Sequence, residues 1–162
     1  MAGENYFSKM YENTTDGSLY GGSAVAIPGA LKGLGEIHRR FGKLTWKQVV
    51  TPVADLAKRG FIAGESLASS IQEKEDHIRN PFNNLGYLLN DDGSLKNSDD
   101  IVYDLQQAQT LYEIADFGAE FFYSGDLSIR ILDDITNAGG AMTQMDIENY
   151  YVVHDGKKIK MS

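Results

Sequence analysis

The sequence predicts a predominantly helical α+β segment, and three observations carry that reading. Apolar residues return every three or four positions in several separate stretches, the period of a helix face. Glycines and an Asn-Pro pair stand where those helices would stop. Runs suited to strands occur in only two places, Ser23 to Ile27 and the tail from Tyr151 to Ile159. The stretch from Gly21 to Phe61 organises the rest, as a short buried strand, a glycine turn and then helices.

In order, residues 4–13 put Tyr6, Phe7, Met10 and Tyr11 on one face of a short helix, read as core packing. Asn13-Thr14-Thr15 is an N-x-T sequon, which makes Asn13 a candidate glycosylation site if the protein enters the secretory pathway. Asp16-Gly17-Ser18 marks a turn. Ser23-Ala24-Val25-Ala26-Ile27 is a short apolar run closed by Pro28-Gly29, its length favouring a buried strand.

A helix follows from Ala30 to about Phe41, with Leu31, Leu34, Ile37 and Phe41 on one stripe and Gly42 as a left-handed cap. Thr45 and Gln48 fit a capping box. Pro52 is expected to break that helix, with Thr51 capping a fresh start whose apolar face is Val53, Leu56 and Ala57 and whose stop is Gly60. Glu65 to Arg79 is the next helix, with Leu67, Ile71 and Ile78 inward, Glu73 to Asp76 in solvent, and Asn80-Pro81 as its end.

Asn90 to Ser94 is a turn, and Lys96 to Asp100 reads as a mobile polar loop. Leu105 to Phe117 is helical with Leu111, Ile114 and Ala115 inward. Phe121-Phe122-Tyr123 forms an aromatic knot, a helix carries Leu127, Ile131 and Ile135 to about Asn137, and Thr143 starts a last short helix through Tyr150. The tail suits a hairpin around Asp155-Gly156.

Composition removes several function classes. At 162 residues the chain is long enough for one ordinary domain. Its net charge of −8 argues against a nucleic-acid partner or adhesion to anionic lipid, both of which need a basic face. The absence of cysteine excludes a thiolate nucleophile, a C-x-x-C redox site, a thiolate zinc site and disulfides. No apolar run approaches the ~20 residues that span a bilayer. The N-terminus lacks the basic start and apolar core of a signal peptide, so any targeting segment is expected to lie outside this chain.

Local chemistry is equally sparse. Gly29, Gly33 and Gly35 complete neither a phosphate loop nor a dinucleotide fingerprint, and no cofactor is implied. His38, His77 and His154 are widely separated, with no H-E-x-x-H, so no metal is expected. The acid pairs Asp99-Asp100 and Asp133-Asp134 suit solvent better than shared proton transfer. Asn90 to Ser94 lacks the spaced ligands of a calcium loop. No serine lies in a G-x-S-x-G elbow, and no catalytic residue is assigned.

One larger pattern is present. Gly21-Gly22, Val25-Ala26-Ile27-Pro28-Gly29, Gly33, His38, Gly42, Trp46, Pro52, Leu56-Ala57 and Gly60-Phe61 together resemble the large subunit of γ-glutamyltransferases, or glutathione hydrolases. The likeness continues through Gln106 to Gly118, Phe122-Tyr123-Ser124-Gly125, Gly139-Gly140, Thr143, Asp146 and Tyr150. It departs at Ala30, where the family often has an acid, and is weak from Asn80 to Tyr103.

The resemblance implies that residues 1–162 are one segment of a large subunit, within a four-layer αββα N-terminal nucleophile hydrolase fold. It implies cleavage of the γ-glutamyl amide of glutathione, with transfer to water or to an amino acid or peptide acceptor. The nucleophile would be a threonine on a small-subunit partner, activated by its own α-amine. It would lie downstream of Ser162, and the arginine that grips the substrate carboxylate upstream of Met1, which leaves this chain inactive alone. The resemblance also implies a protein that is extracellular or anchored at the plasma membrane. The competing readings are a self-contained helical interaction module and a family member without activity.

Overall fold

A computed structural model of the chain describes residue 17, residues 19–153 with their side chains, and the backbone of 154 and 159–161. The expected helix at 4–13, the Asn13 sequon and the Asp155-Gly156 turn lie outside the described residues. The helices are α1 (Ala30–Phe41), α2 (Trp46–Arg59), α3 (Gly64–Glu73), α4 (Glu75–Arg79), α5 (Leu105–Phe117), α6 (Phe121–Ser124), α7 (Asp126–Asn137) and α8 (Gln144–Glu148). The strands are β1 (Phe61–Ile62), β2 (Ile101–Val102), β3 (Val152–His154) and β4 (Ile159–Met161). Helix dominates, as the apolar periodicity predicts. The residues fall into two compact units, Met1–Lys47 with Glu113–Ser162, and Gln48–Tyr112.

In the first unit, Ile27, Tyr123, Ile135, Met142, Ile147 and Tyr150 form one buried cluster, with Val25, Leu31, Phe122, Ile131 and Leu132 packed on it. Helices α6, α7 and α8 pack on one another, and α1 lies against the β3–β4 hairpin. That hairpin is antiparallel, pairing Val152 with Met161 and His154 with Ile159. The apolar run at 23–27 is not the strand its length suggests. Residues Gly22–Ala24 make a 3-10 turn, closed by Ala24 N–H to the Gly21 carbonyl and Val25 N–H to that of Gly22. Gly21, at φ 82°, turns the chain so that the Gly22 N–H donates to Ala138 O at 2.8 Å. Gly22 thereby packs on Gly140, and a Cβ there would lie 2.5 Å from the Gly140 nitrogen.

Helix α1 begins and ends where expected, but Gly42 is extended (φ −65°, ψ 134°) instead of left-handed. Glycine is needed there for room, since a Cβ would meet the His38 carbonyl oxygen at 2.5 Å. The stripe on α1 is also largely uncovered. Leu34, Ile37 and Phe41 are 58%, 44% and 70% exposed, while Gly33 is the buried position.

In the second unit Pro52 stands inside one continuous helix, not between two. A proline removes one intrahelical donor, yet the helix runs on past it, with Ala54, two residues later, completely buried. Gly60 stops it as expected, at φ 84°, with its N–H on Leu56 O. Here too the apolar face is open, with Val49, Val53 and Leu56 exposed. The expected 65–79 helix is divided at Lys74 (φ −106°, ψ 24°) into α3 and α4, and Ile71 and Ile78 are buried as predicted.

Strands β1 and β2, only two residues each, pair antiparallel through Phe61–Val102 and Ile62–Ile101. Their shortness hides the period-2 signal that would reveal them. Leu89 and Leu95 form a bridge across the Asn90–Ser94 turn. Residues 96–100 are tied in place and do not form a free loop. Lys96 N–H donates to Leu88 O at 3.0 Å, and the Asp100 carboxylate accepts from the Asn97 N–H at 2.8 Å.

Candidate functional site

The start of α1 is tightly constrained. The opening N–H groups of a helix have no partner within it. Gly29, at the N-cap, has no side chain to supply one, and a Cβ there would lie 2.8 Å from Cζ of Tyr150 and closer still to its hydroxyl. The Lys32 N–H donates instead to the Tyr123 hydroxyl at 2.9 Å, across 91 residues of sequence. That hydroxyl donates onward to the Pro28 carbonyl at 2.6 Å. Burial pushes the Tyr123 phenol up to about 12. The Tyr123 ring stacks on Tyr150 at 6.1 Å between centroids, and Lys32 Nζ sits 4.6 Å from its centre while pairing with Glu120 at 2.6 Å. Two aromatic rings and a glycine thus fix where α1 begins.

A groove of about 410 Å³ lies beside this junction, bordered by Lys32, Glu36, His38, Trp46, Phe117 and Glu120. Its charges are satisfied within the unit. Glu36 accepts from Arg39 and Arg40, whose guanidinium groups hold its carboxyl down at about 2. His38 Nε2 lies 2.9 Å from Leu44 O, its ring edge-on to Trp46 at 5.3 Å, and the Trp46 indole N–H donates to Ile114 O at 2.9 Å. These are packing roles.

The second unit holds a wider, polar cavity of about 710 Å³. Lys96 lines it although only 8% exposed, with Nζ donating to Asn90 Oδ1 at 3.1 Å and lying 5.7 Å from the Tyr103 ring centre. Asn84 is at φ 51°, the one described residue other than glycine with positive φ, and its amide donates to Gln106 Oε1 at 2.7 Å. Burial, then the charge of Asp104, pushes the Tyr87 phenol up.

Among the described residues no group of three His, Asp or Glu side chains is placed to hold a metal. His38 belongs to the first unit and His77 to the second. Of the acid pairs, Asp99 is exposed and Asp100 is held by Asn97 and Asn90, while Asp133 and Asp134 are both exposed. Sequence reasoning overlooked Lys96, because a lysine within a polar run reads as surface. It assigned Tyr123 to packing without its hydrogen bonds, since a partner 91 positions away leaves no local mark. No helix of the described residues is long and apolar enough to cross a membrane.

Residues 1–160 match the family model described as gamma-glutamyltranspeptidase. The chain is 36% identical over 146 residues to Scoloptoxin SSD14 of Scolopendra dehaani, which covers 90% of this chain and 25% of that protein. It is 34% identical over 149 residues to the glutathione hydrolase proenzyme of Arthroderma benhamiae, covering 91% of this chain and 26% of the relative. The chain thus spans about a quarter of the length of the curated relatives it matches.

Among solved structures, gamma-glutamyltranspeptidase from Pseudomonas nitroreducens, complexed with L-DON, superposes with a TM-score of 0.82 at 26% identity, over 100% of this chain and 50% of that one. The Helicobacter pylori gamma-glutamyltranspeptidase shares the fold at a TM-score of 0.83 and 21% identity, over 99% and 50%. The chain belongs to the gamma-glutamyltranspeptidase family.

Proposed function

We propose that this chain is a large-subunit segment of a glutathione hydrolase, a helical flank that supports a γ-glutamyl site built by the rest of a longer polypeptide. The observation that carries the reading is the uncovered apolar stripe of α1, Leu34, Ile37 and Phe41. Side chains of this kind contribute roughly 1.5–3 kcal/mol each when fully buried, so an amphipathic helix left open gains by docking on a further layer. The coverage of half of each solved relative supplies candidates for that layer. In this reading the layer belongs to a four-layer αββα arrangement.

The chemistry follows from that division. A threonine on the small subunit attacks the γ-glutamyl carbonyl while its α-amine takes the hydroxyl proton; the amide C–N bond then breaks, that proton leaves with the departing amine, and the acyl group on the threonine oxygen passes to water or to an amino acid or peptide. The substrates are glutathione and related γ-glutamyl compounds. The protein acts outside the cell or at the plasma membrane, where the Asn13 sequon is a candidate glycosylation site. Two features of this chain have supporting parts: the Tyr123–Gly29 junction sets the position of α1, and the β3–β4 hairpin packs beside it. Residues 1–162 alone are inactive. The parent polypeptide is expected to release glutamate from a γ-glutamyl anilide and the isolated chain to release none. Release by the isolated chain would overturn the assignment.

A further inference from the structure

The polar cavity of the second unit has donors, acceptors and aromatic faces that no part of the γ-glutamyl chemistry uses. An ammonium can donate three hydrogen bonds, and Lys96 makes one, to Asn90, from a position 8% exposed. The Asn84–Gln106 bond engages one amide hydrogen and one carbonyl oxygen. It leaves Asn84 Oδ1 as an acceptor and the Gln106 amide nitrogen as a donor beside the same cavity. Asn84 holds a backbone conformation that costs energy for a residue with a Cβ. Tyr87 and Tyr103 border the space at 37% and 49% exposure, so part of each side chain is open.

Charge decides what fits. A simple anion drawn to Lys96 would meet Asp91, Asp92 and Asp104 on the same lining; a simple cation would meet Lys96, and of the three acids Asp92 already accepts from Ser94 N–H and Oγ and Asp104 from Gln107 N–H. A hydroxyl donates to a carboxylate and accepts from an ammonium or amide, so it satisfies both signs without bringing a charge. The C–H faces of a sugar ring suit exposed tyrosines, while its edge carries hydroxyls on every side. We infer that this cavity binds a neutral saccharide, with Lys96, Gln106, Asn84 and Asp104 on its hydroxyls and Tyr103 beneath its ring.

The test is saturation-transfer-difference NMR on the longest natural polypeptide carrying this chain, with glucose, N-acetylglucosamine and maltotriose as probes. Glucuronate and glucosamine serve as charged counterparts. At least one neutral sugar is expected to receive saturation at its ring protons and to bind more tightly than either charged probe. Tyr103→Ala should weaken it roughly two- to tenfold, the range of a lost aromatic platform. Tyr103→Trp, which keeps the platform, should retain it. Circular dichroism of each variant separates loss of the site from loss of the fold. Absence of transfer to every neutral probe, tighter binding of a charged one, or unchanged affinity in folded Tyr103→Ala would each overturn the inference.

Discussion

Replacing Tyr123 by phenylalanine removes one oxygen from the centre of the first unit, and its consequence can be worked from the geometry. The ring, fully buried, keeps its stacking on Tyr150. What goes is the hydroxyl that accepts from Lys32 N–H at 2.9 Å and donates to Pro28 O at 2.6 Å. Each such bond contributes roughly 0.5–1.5 kcal/mol net, so the pair sums to about 1–3 kcal/mol. The assay is urea unfolding followed by circular dichroism, where the midpoint should fall while the slope with denaturant stays constant.

A pH series adds a second arm. In the unfolded chain a tyrosine ionises near ~10, whereas burial holds Tyr123 neutral up to about 12. Above pH ~10 the unfolded chain therefore releases a proton that the folded chain keeps. The stabilisation is complete below that point and is lost as pH rises toward about 12. Tyr123→Phe should remove this contribution to the alkaline decline. An unchanged midpoint together with an unchanged alkaline slope would refute the idea that Tyr123 caps α1.

Gly29→Ala should destabilise the chain by about 1–3 kcal/mol, the range of an overpacked core, because its Cβ would meet the Tyr150 hydroxyl and Cζ. Tyr150→Phe removes the nearer of those atoms, so the double variant should recover part of the loss in a denaturation cycle. Thr143→Ala should cost about 1 kcal/mol. It removes the Oγ1 that accepts from Asp146 N–H at 3.2 Å and donates to Asp146 Oδ2 at 2.7 Å, while the other half of the capping box, Thr143 N–H to Asp146 Oδ2 at 2.8 Å, remains; the loss is measurable as a lower unfolding midpoint.

The helices were legible because their periodicity and stops are local. Ala30–Phe41 and Leu105–Phe117 have the expected bounds, and Gly60 and Gly118 take the positive φ their positions suggest. The errors arise where distant residues decide. Ser23 to Ile27 looks like a strand until Gly22 is placed against Gly140 and Ala138, which favour a 3-10 turn. Pro52 looks like a boundary because a proline's missing donor is visible and the burial of Ala54 is not.

The apolar stripe of α1 is legible as a stripe, but sequence cannot say whether its cover lies within the same chain. Of the candidate sites, the glycines and Tyr123 were visible as a family pattern, while the bonds that make them matter span the fold. Lys96 gave no signal at all, since its burial depends on Leu88 and Asn90 folding back over it.

The flanking role proposed for α1 requires its open face to be covered in the longer polypeptide. The chain contains no cysteine, so Phe41→Cys introduces a single thiol into this segment, at a position where the native side chain is 70% exposed. Its rate of reaction with a thiol reagent should be fast in residues 1–162 alone and roughly tenfold or more slower in the longer polypeptide, where only local opening would expose it. Equal rates in the two would contradict the claim.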